Sequence, residues 1–288
     1  MNKEPVLYIV MRNHNAFELT NTCLKSIYSC SYVNKKIIVV DDGSSDDSGI
    51  RLQEEYSELI VLTSDKYIEY CRGLNMGIRY ALKNQADFIF VVNNDTDNFS
   101  SNYFEVLIDS FKNSPNIGLV GSLVYDYDGN KRSAGTPNTR LGVYVDTPTE
   151  GYMFSRKVLT TVGLLDEQLV RYFEDFDYLI RMRNLGFESY FERSVQFDHL
   201  GGGTSKKQVF TPNFYRVRNL LWFIKRYGKD KSLKWKLINF KGFMRKHIML
   251  ILANFRKGRV IKALAISIVV VLGLIAGLFT KWDNNSYE

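Results

Sequence analysis

Cysteine is scarce in this chain and badly spaced for staples. Cys23, Cys30 and Cys71 are odd in number and lack metal-type spacing, which argues against a disulfide scaffold and fits a reducing compartment. Neither Gly-x-Gly-x-x-Gly nor Gly-x-x-x-x-Gly-Lys-Ser/Thr follows a strand-like run, so dinucleotide and P-loop cradles are set aside. Met1 to Pro5 carries mixed charge and leads straight into an apolar run, which is not a signal-peptide pattern. Only five of 288 residues are proline and no internal repeat is visible. With 45% hydrophobic and 24% charged residues, the composition is that of a folded chain with one large α/β core and an appendage, or two modest domains.

Positive charge is missing from most of the molecule. Residues 213–288 hold 16 Lys/Arg against three acids, leaving 22 basic and 28 acidic residues in 1–212. A uniformly basic protein would suggest nucleic acid; a basic tail beside an apolar run suggests an anionic membrane surface instead. Within Ala263–Phe279, Ser267 is the one conventional polar residue, and Lys262 and Lys281 flank the run. That length is at the lower limit for crossing a bilayer. Three readings stand: a helix lying in the headgroup region, a single span, and a buried helix or oligomer contact.

Upstream, strand-like and helix-like stretches alternate. Val6–Met11, Lys36–Val40, Leu59–Thr63 and Asp87–Val92 read as strands; helices are expected near 17–28, 46–57 and 74–84. Near-continuous apolar strands taking turns with helices predict an α/β fold, a parallel sheet covered on both faces. Ligands in such sheets sit beyond the carboxyl ends of the strands. Three polar clusters fall there: Asn13–Asn15, Asp41–Asp46 and Asn93–Asp97. Together they point to a crevice for a nucleotide or similar polar ligand. Acidic loops facing phosphates need a divalent cation between them, and Asp95 is the best placed oxygen ligand.

Further on, the polar stretch 126–150 reads as a loop over the site. Tyr172 to Arg181 places Glu174, Asp175 and Asp177 at the start of an apolar-periodic helix. Carboxylates are stabilised at a helix N-terminus, so a simple cap explains them as well as catalysis does. Arg181 lies where Asp177 could pair with it. His199 precedes three glycines and is an acceptable ligand for Mn²⁺ or Zn²⁺.

The ordered motifs Asn13-His14-Asn15, Val39 to Asp46, Arg72 to Gly77, Val92 to Thr96, Gly163 to Glu167, Tyr172 to Asp177 and His199 to Ser205 resemble the family 2 glycosyltransferases. The likeness is to their rhamnosyltransferase-like branch in bacterial surface-polysaccharide synthesis. That resemblance implies a GT-A fold, with a catalytic domain over 1–212 and a membrane-associating helical region over 213–288. The nucleotide-binding half would be about 1–100 and the acceptor half about 101–212.

By position, the family implies that Asp42 accepts the N3–H of a pyrimidine, supported by Asp41. Asn15, Arg72, Asn75, Asn94 and Asp95 would line the donor, and Gly151, Glu174 and Asp177 the acceptor. Asp175 matches the catalytic base, with Glu174 the next candidate. Asp95 and His199 would hold Mg²⁺ or Mn²⁺, although Asn93-Asn94-Asp95 stands where many relatives carry Asp-x-Asp. The implied donor is dTDP-L-rhamnose, with a UDP-hexose as alternative, and the implied acceptor is a saccharide or lipid-linked sugar. The implied location is the cytoplasmic side of the cell membrane, with homo-oligomers possible. A nucleotidyltransferase-like enzyme and a non-catalytic membrane scaffold are the rivals.

Overall fold

Leu7, Ile9 and Met11 pack on one side of the first strand and Tyr8 and Val10 on the other, which is why it reads as an unbroken apolar run. In the computed structural model, residues 4–126, 129, 131–133, 150–201 and 210–282 are described. The stretch expected as a loop over the site lies mostly outside them, as do Gly202 to Ser205. The strands are β1 (Leu7–Asn13), β2 (Lys35–Asp42), β3 (Ile60–Ser64), β4 (Phe88–Val92), β5 (Thr96–Asp97), β6 (Ile117–Asp126), β7 (Lys131–Ser133), β8 (Gly151–Ser155) and β9 (Glu188–His199). They form one sheet in the order β3-β2-β1-β4-β8-β6-β9-β5, with β7 paired to β6.

The first four strands are mutually parallel, as expected. β8 then runs antiparallel to both β4 and β6, while β6 and β9 are again parallel. Apolar period does not encode strand direction, so the reversal at β8 was not visible in the sequence.

Helices α1 (Phe17–Tyr28), α2 (Ser48–Glu55) and α4 (Tyr103–Ser110) cover one face. Helices α3 (Tyr70–Lys83), α5 (Arg156–Val162) and α6 (Glu174–Asn184) cover the other. α3 begins four residues before the expected start, because Gly73 is not a breaker. It sits inside the helix, where a side chain would press a Cβ to 3.1 Å from Cδ of Arg12.

Helices α7 (Phe210–Tyr227), α8 (Leu233–Arg256) and α9 (Val260–Phe279) form the tail. α7 belongs to the main core: Leu220, Trp222 and Phe223 pack with Phe173, Tyr178 and Leu179. α9 is, among the described residues, the one helix long and apolar enough to cross a membrane. One side of it rests on α7, where Val217 meets Ile266 and Val270. Gly273 and Gly277 make that approach possible. A Cβ at Gly273 would lie 2.9 Å from the Phe214 carbonyl oxygen, and one at Gly277 would lie 2.8 Å from Leu221. The opposite side, with Ile261, Ile268 and Phe279, is exposed.

Gly273→Val should therefore cost about 1–3 kcal/mol by overpacking. Urea unfolding in mild detergent measures it, and an unchanged midpoint would show that α9 is not seated on α7.

Candidate active site

Two loops meet at the carboxyl ends of β1 and β2, tied by short polar side chains. Nδ2 of Asn13 donates to Oδ1 of Asp41 at 2.8 Å and to Oγ of Ser48 at 2.7 Å. The Ser45 amide donates to Oδ1 of Asn15 at 2.7 Å, and Asn15 accepts a left-handed φ of 49° to make the turn. Asp41 and Asn13 are buried, so they shape the crevice wall rather than face a ligand.

Asp42 is fully buried. Its Oδ2 accepts from Nε of Arg12 at 2.5 Å and from the Glu69 amide at 3.1 Å, and its Oδ1 accepts from the Ile68 amide at 2.5 Å. Beside this pair, Nδ1 of His14 lies 2.7 Å from the Asp42 carbonyl oxygen, and the His14 and Tyr67 rings are 4.6 Å apart.

At the end of β4, Oδ1 of Asp95 lies 3.2 Å from Nε2 of His199. Backbone pairing of Thr96 with His199 and of Asp97 with Asp198 between β5 and β9 sets this approach. Asn94 donates to Oγ1 of Thr20 at 2.8 Å. Among the described residues no group of three or more His, Cys, Asp or Glu is placed to hold a metal. One carboxylate and one imidazole would suit Mn²⁺ better than Mg²⁺, with the remaining ligands taken from substrate phosphates and water.

The acidic turn is the most constrained part of the crevice. Val170, Tyr172 and Phe173, just before α6, all have positive φ (66°, 66° and 73°), a conformation that costs about 1–3 kcal/mol per residue and persists only where the surroundings enforce it. The enforcement comes from α7. Nδ2 of Asn219 donates to the carbonyls of Leu169, Arg171 and Tyr172 at 2.8, 2.9 and 2.9 Å. The Cys71 amide adds a bond to the Val170 carbonyl at 3.0 Å.

Glu174 and Asp175 are near enough for their charges to act on Tyr70 and Tyr152, and that of Glu174 on Cys71. Burial pushes Glu174 up to about 8, with the charge of Asp175 adding to it. Burial also pushes Asp175 up to about 6, against the pull of backbone amides. Burial thus favours the neutral form of both carboxyls, and the buried Oε2 of Glu174 has no hydrogen-bond partner. Tyr70 donates to Oδ1 of Asn93 at 2.9 Å, so one tyrosine links the acidic turn to the β4 loop. The sequence reasoning did not single out Tyr67, Tyr70 or Tyr152. Tyrosines make up 18 of the 288 residues, and no spacing marks these three.

Four expected contacts are placed elsewhere. Asp177 is fully buried, accepting from Nε of Arg181 at 2.7 Å and from the Tyr227 hydroxyl, so it offers nothing to an acceptor. Asn75 is fully buried, bonded to both the carbonyl and the amide of Leu165. Arg72 turns outward toward Glu167, at 3.5 Å. Gly151 is buried in β8, where a Cβ would meet the Phe197 ring at 2.9 Å; it serves packing of the sheet. Each was assigned from motif position alone, and position does not reveal which way a side chain turns.

The α/β sheet with an acidic crevice at its strand ends has the architecture expected of a GT-A-type glycosyltransferase. Residues 8–178 match the family model described as glycosyl transferase family 2, and the chain belongs to that family. It is 24% identical over 216 residues to the dTDP-rhamnosyl transferase RfbF of Shigella flexneri, covering 67% of this chain and 72% of that one. It is 23% identical over 203 residues to the poly-beta-1,6-N-acetyl-D-glucosamine synthase of Staphylococcus aureus, covering 59% of this chain and 46% of the synthase. The fold is similar to the Pyrobaculum calidifontis mannosyltransferase PcManGT in complex with GDP-Man and Mn²⁺ (TM-score 0.63, 13% identity, 98% of this chain and 89% of that one). It is also similar to S. aureus TarS 1–349 in complex with UDP-GlcNAc (TM-score 0.61, 13% identity, 85% and 73%). Membership of this family sets the nucleotidyltransferase rival aside.

The raised carboxyls make two measurements decisive. The acid limb of kcat/KM should fall above the usual range of an aspartate, because burial raises Asp175. A carboxyl whose folded pKa is raised binds more protons when folded, so its contribution to stability is lost as pH rises from 4.5 toward about 8. Glu174→Gln should accordingly melt higher than wild type at pH 9 and close to it at pH 5, read by thermal unfolding at both pH values.

Proposed function

We propose that this glycosyltransferase moves L-rhamnose from dTDP-rhamnose to a saccharide or lipid-linked acceptor in cell-surface polysaccharide synthesis. The observation that carries the proposal is the buried Glu174–Asp175 pair, joined through Tyr70 to the β4 loop that bears Asp95. Asp175 removes the proton of the acceptor hydroxyl, a poor nucleophile until deprotonated. Protonated Glu174 orients that hydroxyl as a hydrogen-bond donor. With one base and no second nucleophile, a single in-line displacement inverts the anomeric carbon. The rhamnosyl choice follows the likeness to RfbF; a UDP-hexose is the second reading, favoured by the likeness to the N-acetylglucosamine synthase.

Asp95 and His199 are the residues proposed to hold a divalent cation, Mg²⁺ or Mn²⁺. When bound, it offsets the charge developing on the diphosphate leaving group. Asn15 and Asn94 brace the loops on the donor side. The proposed division at residue 212 is one of role, 1–212 carrying the crevice and the tail attaching it to the membrane, except that α7 runs across the boundary and its Asn219 braces the acidic turn. Exposed Leu237, Ile248, Leu252, Ile261 and Phe279 on α8 and α9, among 16 Lys/Arg of the tail, suit the cytoplasmic face of an anionic bilayer.

A thermal-shift panel of dTDP-rhamnose, UDP-glucose, UDP-GlcNAc and GDP-mannose, with and without Mn²⁺, tests the donor. A ligand near 100-fold above its dissociation constant stabilises by about 2.7 kcal/mol. A metal-dependent shift with dTDP-rhamnose is expected, and a shift with UDP-GlcNAc alone would replace the donor. Asp175→Asn should abolish transfer with donor affinity kept within a few fold, and a fully active variant would remove Asp175 as the base. Asp95→Ala should weaken donor binding mainly in the presence of metal; an identical metal titration would contradict its role.

A further inference from the structure

Asp42 has no surface left with which to read a nucleobase. Its carboxylate is fully buried and already accepts three hydrogen bonds, from Arg12, Ile68 and Glu69. The residue it holds is differently placed. The side chain of Arg12 is only 9% exposed, its Nε is spent on Asp42, and its Nη2 is buried with no hydrogen-bond partner. A buried guanidinium donor without an acceptor is unfavourable, and a ligand atom that supplies the acceptor removes the penalty.

An aromatic ring lies beside this guanidinium. The Arg12 guanidinium lies 4.9 Å from the centroid of Tyr67, and the same ring lies 4.6 Å from that of His14. Tyr67 is 37% exposed, so its outer edge is in solvent. A flat aromatic group in contact with an imidazole and a guanidinium occupies the kind of place a base would take, at the carboxyl end of β1 and β2.

We propose that Arg12, clamped by Asp42, selects the base of the nucleotide donor: the base displaces Tyr67 from His14 and accepts a hydrogen bond from Nη2 through its exocyclic carbonyl oxygen. Uracil and thymine offer O4 there and guanine offers O6. Cytosine and adenine put an amino group in the same position, where two donors would face each other. Asp42 is a positioning residue on this account, and specificity resides in Arg12. The inference rests on the nucleotide-sugar reading above and refines it to a class of base.

Isothermal titration of the full chain with UDP, dTDP, GDP, CDP and ADP, in the presence of MnCl₂, tests it. At least one of the three carbonyl bases should bind about tenfold or more tighter than both CDP and ADP. Arg12→Lys keeps a positive charge beside Asp42 but lacks the fork that reaches two partners, and should reduce that preference to about twofold. A second measurement needs no variant: the 4-thio analogue of UDP or dTDP, or 6-thio-GDP, should bind wild type about tenfold more weakly than its parent, since sulfur is a weak acceptor. Equal binding of the five nucleotides, an unchanged preference in folded R12K, or equal binding of the thio analogue would overturn the role of Arg12 while leaving a nucleotide site. Binding of none of the five would instead overturn the donor reading itself, and this inference with it.

Discussion

Three hydrogen bonds from one amide hold the catalytic end of this molecule. Asn219, fully buried on α7, spans the carbonyls of Leu169, Arg171 and Tyr172 and keeps a turn with left-handed φ at three non-glycine residues. No side chain of the turn itself could enforce that geometry, because Val170 is β-branched and disfavours positive φ. Without it, Glu174 and Asp175 would not be held near Tyr70 and Tyr152. Asp177 anchors the next turn of the same helix: Arg181 pairs with it and carries on to the Val162 and Leu164 carbonyls at 3.0 and 2.8 Å. The charge is buried but fully engaged, which is the condition under which a buried ion pair is tolerated.

The donor end follows a different rule. There the side chains of Asn13, Asp41, Ser44 and Ser48 consume one another, so two loops at adjacent strand ends become one rigid wall. Rigidity at this edge leaves few polar groups for a ligand. Those that remain, Arg12 near the end of β1 and Asp95 with His199 just past the end of β4, stand on neighbouring strands.

Much of this was legible in the residues. The alternating strands, the three polar strand ends and the acidic helix start were each visible as patterns, and the motif order pointed to the family. What escaped was orientation. Asp177 and Glu174 stand three apart on one helical face, yet Asp177 is closed off by Tyr227, a residue 50 positions away. Asn75 sits in a donor-side motif but turns inward to Leu165, and Arg72 turns outward to Glu167. Asp42 carries a base-reading motif but has spent its oxygens on Arg12 and two amides. The Asp177–Arg181 pair was legible in its i,i+4 spacing and is present; the other outcomes depend on partners distant in sequence, which no local spacing records.

The apolar tail helix is packed against the helix that braces the acidic turn. Gly273 and Gly277 are spaced as in helix pairs that pack within bilayers, but their partner is α7 of the same chain. At the end of α9 and just past it, Lys225 donates to the Gly277 carbonyl at 2.7 Å, Trp222 to Thr280 at 3.0 Å, and Trp282 to Asp166 at 2.6 Å. Arg226 sits between Asp166 and Asp177, 3.3 and 3.7 Å from their carboxylates. The helix that would meet lipid is thus bound, within one layer of side chains, to the helix that fixes the acidic turn. A loose tether would let the crevice sample every angle to a surface. A tail packed on α7 restricts that freedom, so that a lipid-linked acceptor would approach Asp175 from a direction set by the fold.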